Sequence, residues 1–422
     1  MISGSTEPEA GGSNAPGSIV GGYRELLRNR RWLLWEVSAT AATVGYSVYA
    51  ISIPWFAYQV SGSFLIVGLV LFAEVGIYSL TFLVGPLVDR ARNKRTVYIV
   101  CYPAQAVAAA VLGAAIGERF LSLPLLFGLI AFISLLWDFT WAANNATPRL
   151  LLNQDQLFRA QGLGTLLGGA TQLGGFSGGA LIVVVVGPSG GLLLYAAFLA
   201  AAALLVIPLS IPSPAQPKAA YLADFREGWR YFSGKGGSAL RQLASVELVR
   251  GFFSTAPTLL IVVVAARLFV GSTNAYGILF VSWVIGGVAV ALFLGEWNPR
   301  RSIGWILIGS STASGLLVAA AVWPGLALLP AAAVWFLFGA SGTAYLAVLY
   351  VYLRGAYPPV VIGRITANLY LFTGTTGAIG AFVLGTVAGA WTPVEFGLLF
   401  AAGLVATGAL LLILPGIRRL VF

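Results

Sequence analysis

Ionisable side chains inside long apolar runs are where this chain could do chemistry, because each costs at least about 2.5 kcal/mol to hold in a bilayer core. Five stand out. Glu74 lies near the middle of an apolar run at 64–88, with Tyr78 and Thr81 following on the same helical face. Asp138 lies in the run 122–146, on the face Ser134, Asp138, Trp141, Asn145. Glu36 starts a polar stripe continued by Thr40, Thr43 and Ser47, close to one interface, where a solvated role competes with a cavity role. Glu247 and Arg250 stand one turn apart, followed by Ser254 and Thr258. A carboxyl group facing a low-dielectric cavity takes up a proton more readily than one in water. It can carry that proton from one side to the other, or pair with a cationic solute. Glu74 and Asp138 are the proton-coupling candidates; the competing reading makes both of them buried structural groups. Glu247 and Arg250 read as a local ion pair, since a buried Arg needs a partner.

Aromatic residues punctuate the same runs: Tyr46, Tyr49, Trp141, Trp283, Trp335, Tyr345 and Tyr352. A cavity with Trp, Tyr and one or two carboxylates suits a bulky amphipathic or cationic organic solute, through stacking and cation–π contact. It suits a sugar less well, because side chains able to hold many hydroxyls are sparse. The substrate-cavity candidates are Glu36, Thr40, Thr43, Tyr46, Tyr78, Trp141, Asn145, Arg250, Ser254, Trp335 and Tyr345.

The elements that position these groups follow from composition. The 422 residues are 59% hydrophobic and 9% charged, with mean hydropathy +0.90, which is the composition of a polytopic helical membrane protein. A bilayer core of about 30 Å needs about 20 apolar residues per crossing. The apolar runs give twelve spans, at 32–58, 64–88, 96–116, 122–146, 160–186, 190–210, 243–268, 273–295, 303–323, 326–353, 363–389 and 394–415. Residues 1–30 read as a disordered cytoplasmic tail, without the apolar core of a signal peptide. Residues 31–210 form a first six-helix bundle and 243–415 a second, and 416–422 are a cytoplasmic tail. The linker 211–242 carries an interfacial helix at 221–232, with Phe225, Trp229 and Phe232 opposite Asp224, Arg226, Glu227 and Arg230.

The turn 85–95, with Asp89, Arg90, Arg92, Lys94 and Arg95 between two spans, fixes the orientation. Short loops rich in Lys and Arg stay in the cytoplasm. With both termini inside, all of the 24 Lys and Arg except Arg119, Arg250 and Arg267 fall on the cytoplasmic side or in the cytoplasmic loops. The net charge of +10 is thereby explained by loops facing the cell interior of a plasma or inner membrane, with no need for nucleic acid. Histidine is absent and there is one cysteine, Cys101, which removes His-based metal sites, His general bases and internal disulfides. A glycine-rich phosphate loop with lysine is absent too, which argues against ATP-driven transport by this chain.

Gly85-Pro86-Leu87-Val88-Asp89-Arg90 followed by basic residues resembles the signature loop of the major facilitator superfamily, between its second and third helices. The 6+6 layout over 31–415 agrees. Ile53-Pro54-Trp55-Phe56-Ala57-Tyr58-Gln59-Val60-Ser61-Gly62-Ser63 and Asp155-Gln156-Leu157-Phe158-Arg159-Ala160-Gln161-Gly162-Leu163 resemble stretches of its drug-efflux branch, which includes macrolide and enterobactin exporters. Gly85 lets a neighbouring helix approach, having no Cβ. The resemblance implies that Gly85, Asp89 and Arg90 latch onto the start of the eleventh span near Arg364, and that spans 1, 4, 7 and 10 line the cavity. The motif departs from the family at Arg92 and Asn93. The matching loop Gly295–Arg301 has no Asp, so one latch is expected. Gly174–Gly179 resembles the superfamily's antiporter motif, with Gly175 where the motif has proline; ordinary small-residue packing explains it as well.

These readings converge on an all-α secondary active transporter, a monomer in the lipid bilayer that uses a proton gradient and no cofactor or metal. Proton-coupled export of a hydrophobic or cationic small molecule by alternating access is the expected activity. Rivals are a proton symporter or uniporter of the same fold, a non-transporting sensor or lipid-binding member, and a membrane-embedded enzyme. The last would need a His, Cys or paired-acid cluster at one depth, which the sequence lacks.

Overall fold

The computed structural model describes residues 25–79, 84, 85, 87, 88, 90–115, 122–211, 230, 238–296, 303–357 and 359–414. They form helices α1 (Arg30–Ser61), α2 (Phe64–Tyr78), α3 (Lys94–Ala114) and α4 (Leu123–Ala146), then a continuous run Gln154–Val206. Gly187, at φ 72° and ψ 172°, divides that run into α5 (154–186) and α6 (188–206). Only glycine holds that backbone without strain, and Pro188 then starts the next helix. The chain doubles back there, since a Cβ on Gly191 would lie 3.3 Å from Val183, eight residues earlier. Next come α7 (Ser238–Arg267), α8 (Thr273–Glu296), α9 (Ile303–Ala321), α10 (Leu328–Ala356), α11 (Pro359–Ala390) and α12 (Pro393–Ile413).

The twelve predicted spans therefore correspond one to one with α1–α12. Local chemistry explains their ends. Asn29 caps α1 by accepting from the Trp32 amide at 3.2 Å, and Gly62 ends it at φ 64°. Thr392 and Glu395 close a reciprocal capping box on α12, with the Thr392 amide 2.8 Å from Glu395 Oε2 and the Glu395 amide 3.2 Å from Thr392 Oγ1. α1 is long enough to cross a membrane, but its polar and aromatic residues dilute its hydropathy.

Small residues set the packing. α1 lies against α5 where Gly175 faces Ser47 and Gly179 faces Val48, so the glycine stripe of α5 serves helix contact on this face. The two six-helix halves meet along α2–α11 and α5–α8. Along the first seam a Cβ on Gly68 would sit 2.7 Å from the Cα of Gly385, a distance only two glycines permit. Within the first half, the buried Tyr98 hydroxyl is a hub. It accepts from Trp35 Nε1 at 3.0 Å and reaches Asn144 Oδ1 at 3.0 Å and Thr147 Oγ1 at 2.9 Å. In an apolar surround each of these polar groups needs its partner.

Two features differ from the sequence reading. α7 is interrupted at 253–255, where the amides of Phe253, Ser254 and Ala256 each bond three residues back, at 3.1, 2.9 and 3.1 Å. Pro257 is the cause: it has no N–H for the Phe253 carbonyl and its ring would clash with it. The second difference is Lys94. Assigned to the solvated basic loop, it is buried, with Nζ 2.5 Å from the Val88 carbonyl. Nearby, the Lys94 amide bonds the Ile211 carbonyl at 3.0 Å, and the Ile211 amide bonds Asn93 Oδ1 at 3.2 Å. These bonds pin the loop to the end of the first half. The interfacial helix expected at 221–232 lies outside the described residues, apart from Arg230.

Candidate functional site

Between the halves lies a cavity of about 460 Å³. The first half contributes Tyr46, Glu74 and Phe176; the second contributes Ser254, Thr258, Phe280, Trp283 and Thr343 among others. Its floor of aromatic faces includes Tyr46, itself stacked on Trp137 with centroids 4.0 Å apart. Glu74 Oε1 is buried with no hydrogen-bond partner. The Tyr49 hydroxyl faces Glu74 but stops short of hydrogen-bond geometry, and Tyr46, Tyr195 and Tyr276 lie within electrostatic reach of the same carboxylate. Two of these phenols are committed elsewhere: Tyr276 to the Ile51 carbonyl at 2.7 Å and Tyr195 to Gln105 Oε1 at 3.1 Å. A buried carboxylate oxygen with no donor is expensive unless a proton or a bound cation satisfies it.

The break in α7 opens the opposite wall. Ser254 lines this cavity and two adjoining ones of about 280 and 380 Å³. Thr255 Oγ1 is buried there without a partner. Unwound backbone at membrane depth is tolerated where it lines a cavity, and it exposes polar groups that a regular helix would hide. One turn earlier, Arg250 lines both smaller cavities. Its guanidinium lies 4.3 Å from the Tyr345 ring centroid and 3.6 Å from Glu247 Oε2, while Tyr345 Oη donates to Glu247 Oε1 at 2.7 Å. The Glu247–Arg250 pair expected from spacing is present, and Tyr345 completes it.

Of the sequence candidates, Tyr46, Glu74, Tyr78, Arg250, Ser254 and Tyr345 line these connected cavities. The others do not. Asp138 is 1% exposed, within electrostatic reach of Tyr46 and Tyr78 but off the cavity walls. Trp141 and Asn145, on the same face, are exposed; Trp137 and Asn144 are the neighbours that make inward contacts. Trp335 is fully buried in the apolar core, edge-on to Phe338, and Trp283 takes the cavity position instead. Glu36, Thr40 and Thr43 are partly buried but line none of the three cavities, and Thr43 bonds back to the Ala39 carbonyl at 2.8 Å. In the latch, Asp89 and the Arg364 side chain lie outside the described residues, and Arg90 is exposed. Among the described residues nothing lies within 4 Å of a Cβ built on Gly85, so the close approach expected there involves none of them.

One end of the cavity is sealed. The Trp55 ring stacks on Tyr276 at 4.8 Å and its Nε1 donates to Thr273 Oγ1 at 3.1 Å. Arg267 donates to the Trp391 and Gly389 carbonyls and lies over the Phe64 ring, 4.7 Å from its centroid. With the Gly68–Gly385 contact, these close the end where α1, α7 and α11 finish.

No protein-family model matches the sequence, and no curated protein matches it either. Solved structures do resemble it in shape. The nucleoside transporter NupG superposes with TM-score 0.71 at 15% identity, over 90% of this chain and 98% of that one. A POT family transporter in complex with 5-aminolevulinic acid gives 0.67 at 12%, over 94% and 97%. The D-xylose-proton symporter gives 0.66 at 11%, over 91% and 99%. At these identities the likeness is one of architecture, and with two six-helix halves around a central cavity the chain has the twelve-helix fold of major facilitator transporters.

Proposed function

We propose that this chain is a secondary transporter that exports a hydrophobic or cationic small molecule across the cell membrane in exchange for protons. The observation that carries the reading is Glu74: a buried carboxylate oxygen without a partner, on the wall of a cavity shared by two halves. A proton and a solute cation would compete for that one group. Competition for a single site is the simplest device for exchange, because the carrier crosses with one or the other. The basic loops assign the sealed end to the outside, so this conformation faces the cytoplasm with both termini there. Rocking the halves about the cavity would expose Glu74 to the other side. Asp138, close by in α4, takes a structural role supporting the Tyr46–Tyr78 face. One chain holds the whole site, so a monomer suffices.

The test is solute flux into vesicles holding the purified protein, under imposed inside-acid and inside-alkaline gradients. Exchange predicts accumulation on the acid side, and Glu74→Gln abolishes the gradient dependence whereas Asp138→Asn retains it. A symporter of the same fold reverses the direction of accumulation. Flux indifferent to both gradients removes proton coupling.

A further inference from the structure

We infer that Arg250 is an anion-docking group, so that the solute taken by this cavity is amphoteric, with an acidic group on Arg250 and an amine on Glu74. The inference rests on the transport reading above and names the substrate class of that site.

Arg250 brings five N–H donors into the cavity system, and among the described residues none of them makes a hydrogen bond. Its ion pair with Glu247 is loose at 3.6 Å, while Glu247 Oε1 is occupied by the Tyr345 hydroxyl at 2.7 Å. The Tyr345 ring, 4.3 Å from the guanidinium carbon, fixes the plane of the fork from one side. Ring and carboxylate thus orient Arg250 without consuming its donors. An Arg held in place with open donors on a cavity wall matches a carboxylate, which it binds through two parallel bonds.

Placement supplies the second half of the argument. Arg250 and Glu74 line adjoining cavities that share Ser254, Trp283 and Thr343. Two opposite charges thus face one connected space with aromatic walls. A solute with only an amine leaves the Arg250 donors dry; one with only an acid leaves Glu74 Oε1 unmet. A zwitterion with an apolar or aromatic body satisfies both, with the body against the cavity faces of Trp283 and Phe280.

The experiment uses the purified full-length protein and three probes of one shape: L-phenylalanine, L-phenylalaninamide and N-acetyl-L-phenylalanine. Binding is read as thermal stabilisation and as displacement between probes. The zwitterion is expected to bind about ten- to a hundredfold more tightly than the amide, the worth of one charge-assisted hydrogen-bonded contact. Arg250→Gln should level that difference while leaving amide binding in place. Arg250→Lys keeps the pair with Glu247, and so the fold, but loses the two-pronged contact and falls between. Equal affinity for amide and zwitterion overturns the inference, as does failure of all three probes to bind, or an Arg250→Lys protein that discriminates as the parent does. Amide binding that still depends on Glu74, with no preference for the acid, would sink the anion site and leave the proton-exchange reading standing.

Discussion

Glu74→Gln is the most informative single change. Glutamine keeps the volume and shape of the protonated acid, so the packing around Tyr46 and Tyr49 has no reason to move. It removes the negative charge for good. A charge-assisted hydrogen bond to a cationic solute contributes about 1.5–3 kcal/mol, so affinity for such a solute should fall about ten- to a hundredfold. The pH dependence should change more tellingly. In the parent, protons and solute compete, so apparent affinity falls by about tenfold per pH unit once the medium is acidic enough to protonate Glu74. In the variant, affinity should be flat across the same range. The gradient assay adds a thermodynamic check: with the membrane potential clamped at zero, one-for-one exchange of the solute with a proton sustains about a tenfold concentration ratio per pH unit across the membrane. Glu74→Gln should hold no ratio, yet still exchange labelled for unlabelled solute, because the halves can rock with a neutral site. A variant that concentrates solute against a pH gradient as the parent does would refute the assignment of Glu74.

Further outcomes follow from other contacts. Pro257→Ala returns an N–H to the Phe253 carbonyl and should mend the break in α7, gaining about 1 kcal/mol of stability while slowing transport; unfolding temperature and flux measured together check the trade. Tyr98→Phe strands the donor of Trp35 and the partners Asn144 and Thr147 in an apolar surround, and should cost about 1–3 kcal/mol in thermal unfolding in detergent. Gly385→Val places methyl groups against Gly68 and should force α2 and α11 apart by about 1–3 kcal/mol of overpacking, seen as labelling from outside of a cysteine introduced at Thr258. Tyr276→Phe removes one bond of the seal, worth about 1 kcal/mol, and should raise the same labelling by about fivefold.

The twelve crossings were legible because a bilayer demands long apolar runs and leaves little else to choose. The cavity was legible only in part. Periodicity says that Asp138, Trp141 and Asn145 share a face, but not how the bundle turns that face, and here it turns so that Trp137 and Asn144 make the inward contacts. Spacing puts Trp335, and not Trp283, among the cavity candidates; packing of α8 on α10 buries the first and presents the second. Glu74 and Arg250 were visible because an ionised group in a span is costly enough to need a reason. The break at 253–255 has a signal in Pro257, a proline in mid-span rather than in the first turn of a helix.

The seal between the halves has a chemical character of its own. Among the described residues, what crosses it is ring against ring, glycine against glycine, the Arg267 cation over Phe64, and a few neutral hydrogen bonds from Trp55 and Tyr276. Arg267 keeps its bonds to the Gly389 and Trp391 carbonyls within its own half, so parting the seam costs it only a ring face. Among the described residues no oppositely charged side chains have to separate there. Parting this seal should therefore be nearly blind to ionic strength, so this gate opens alike in dilute and in briny surroundings.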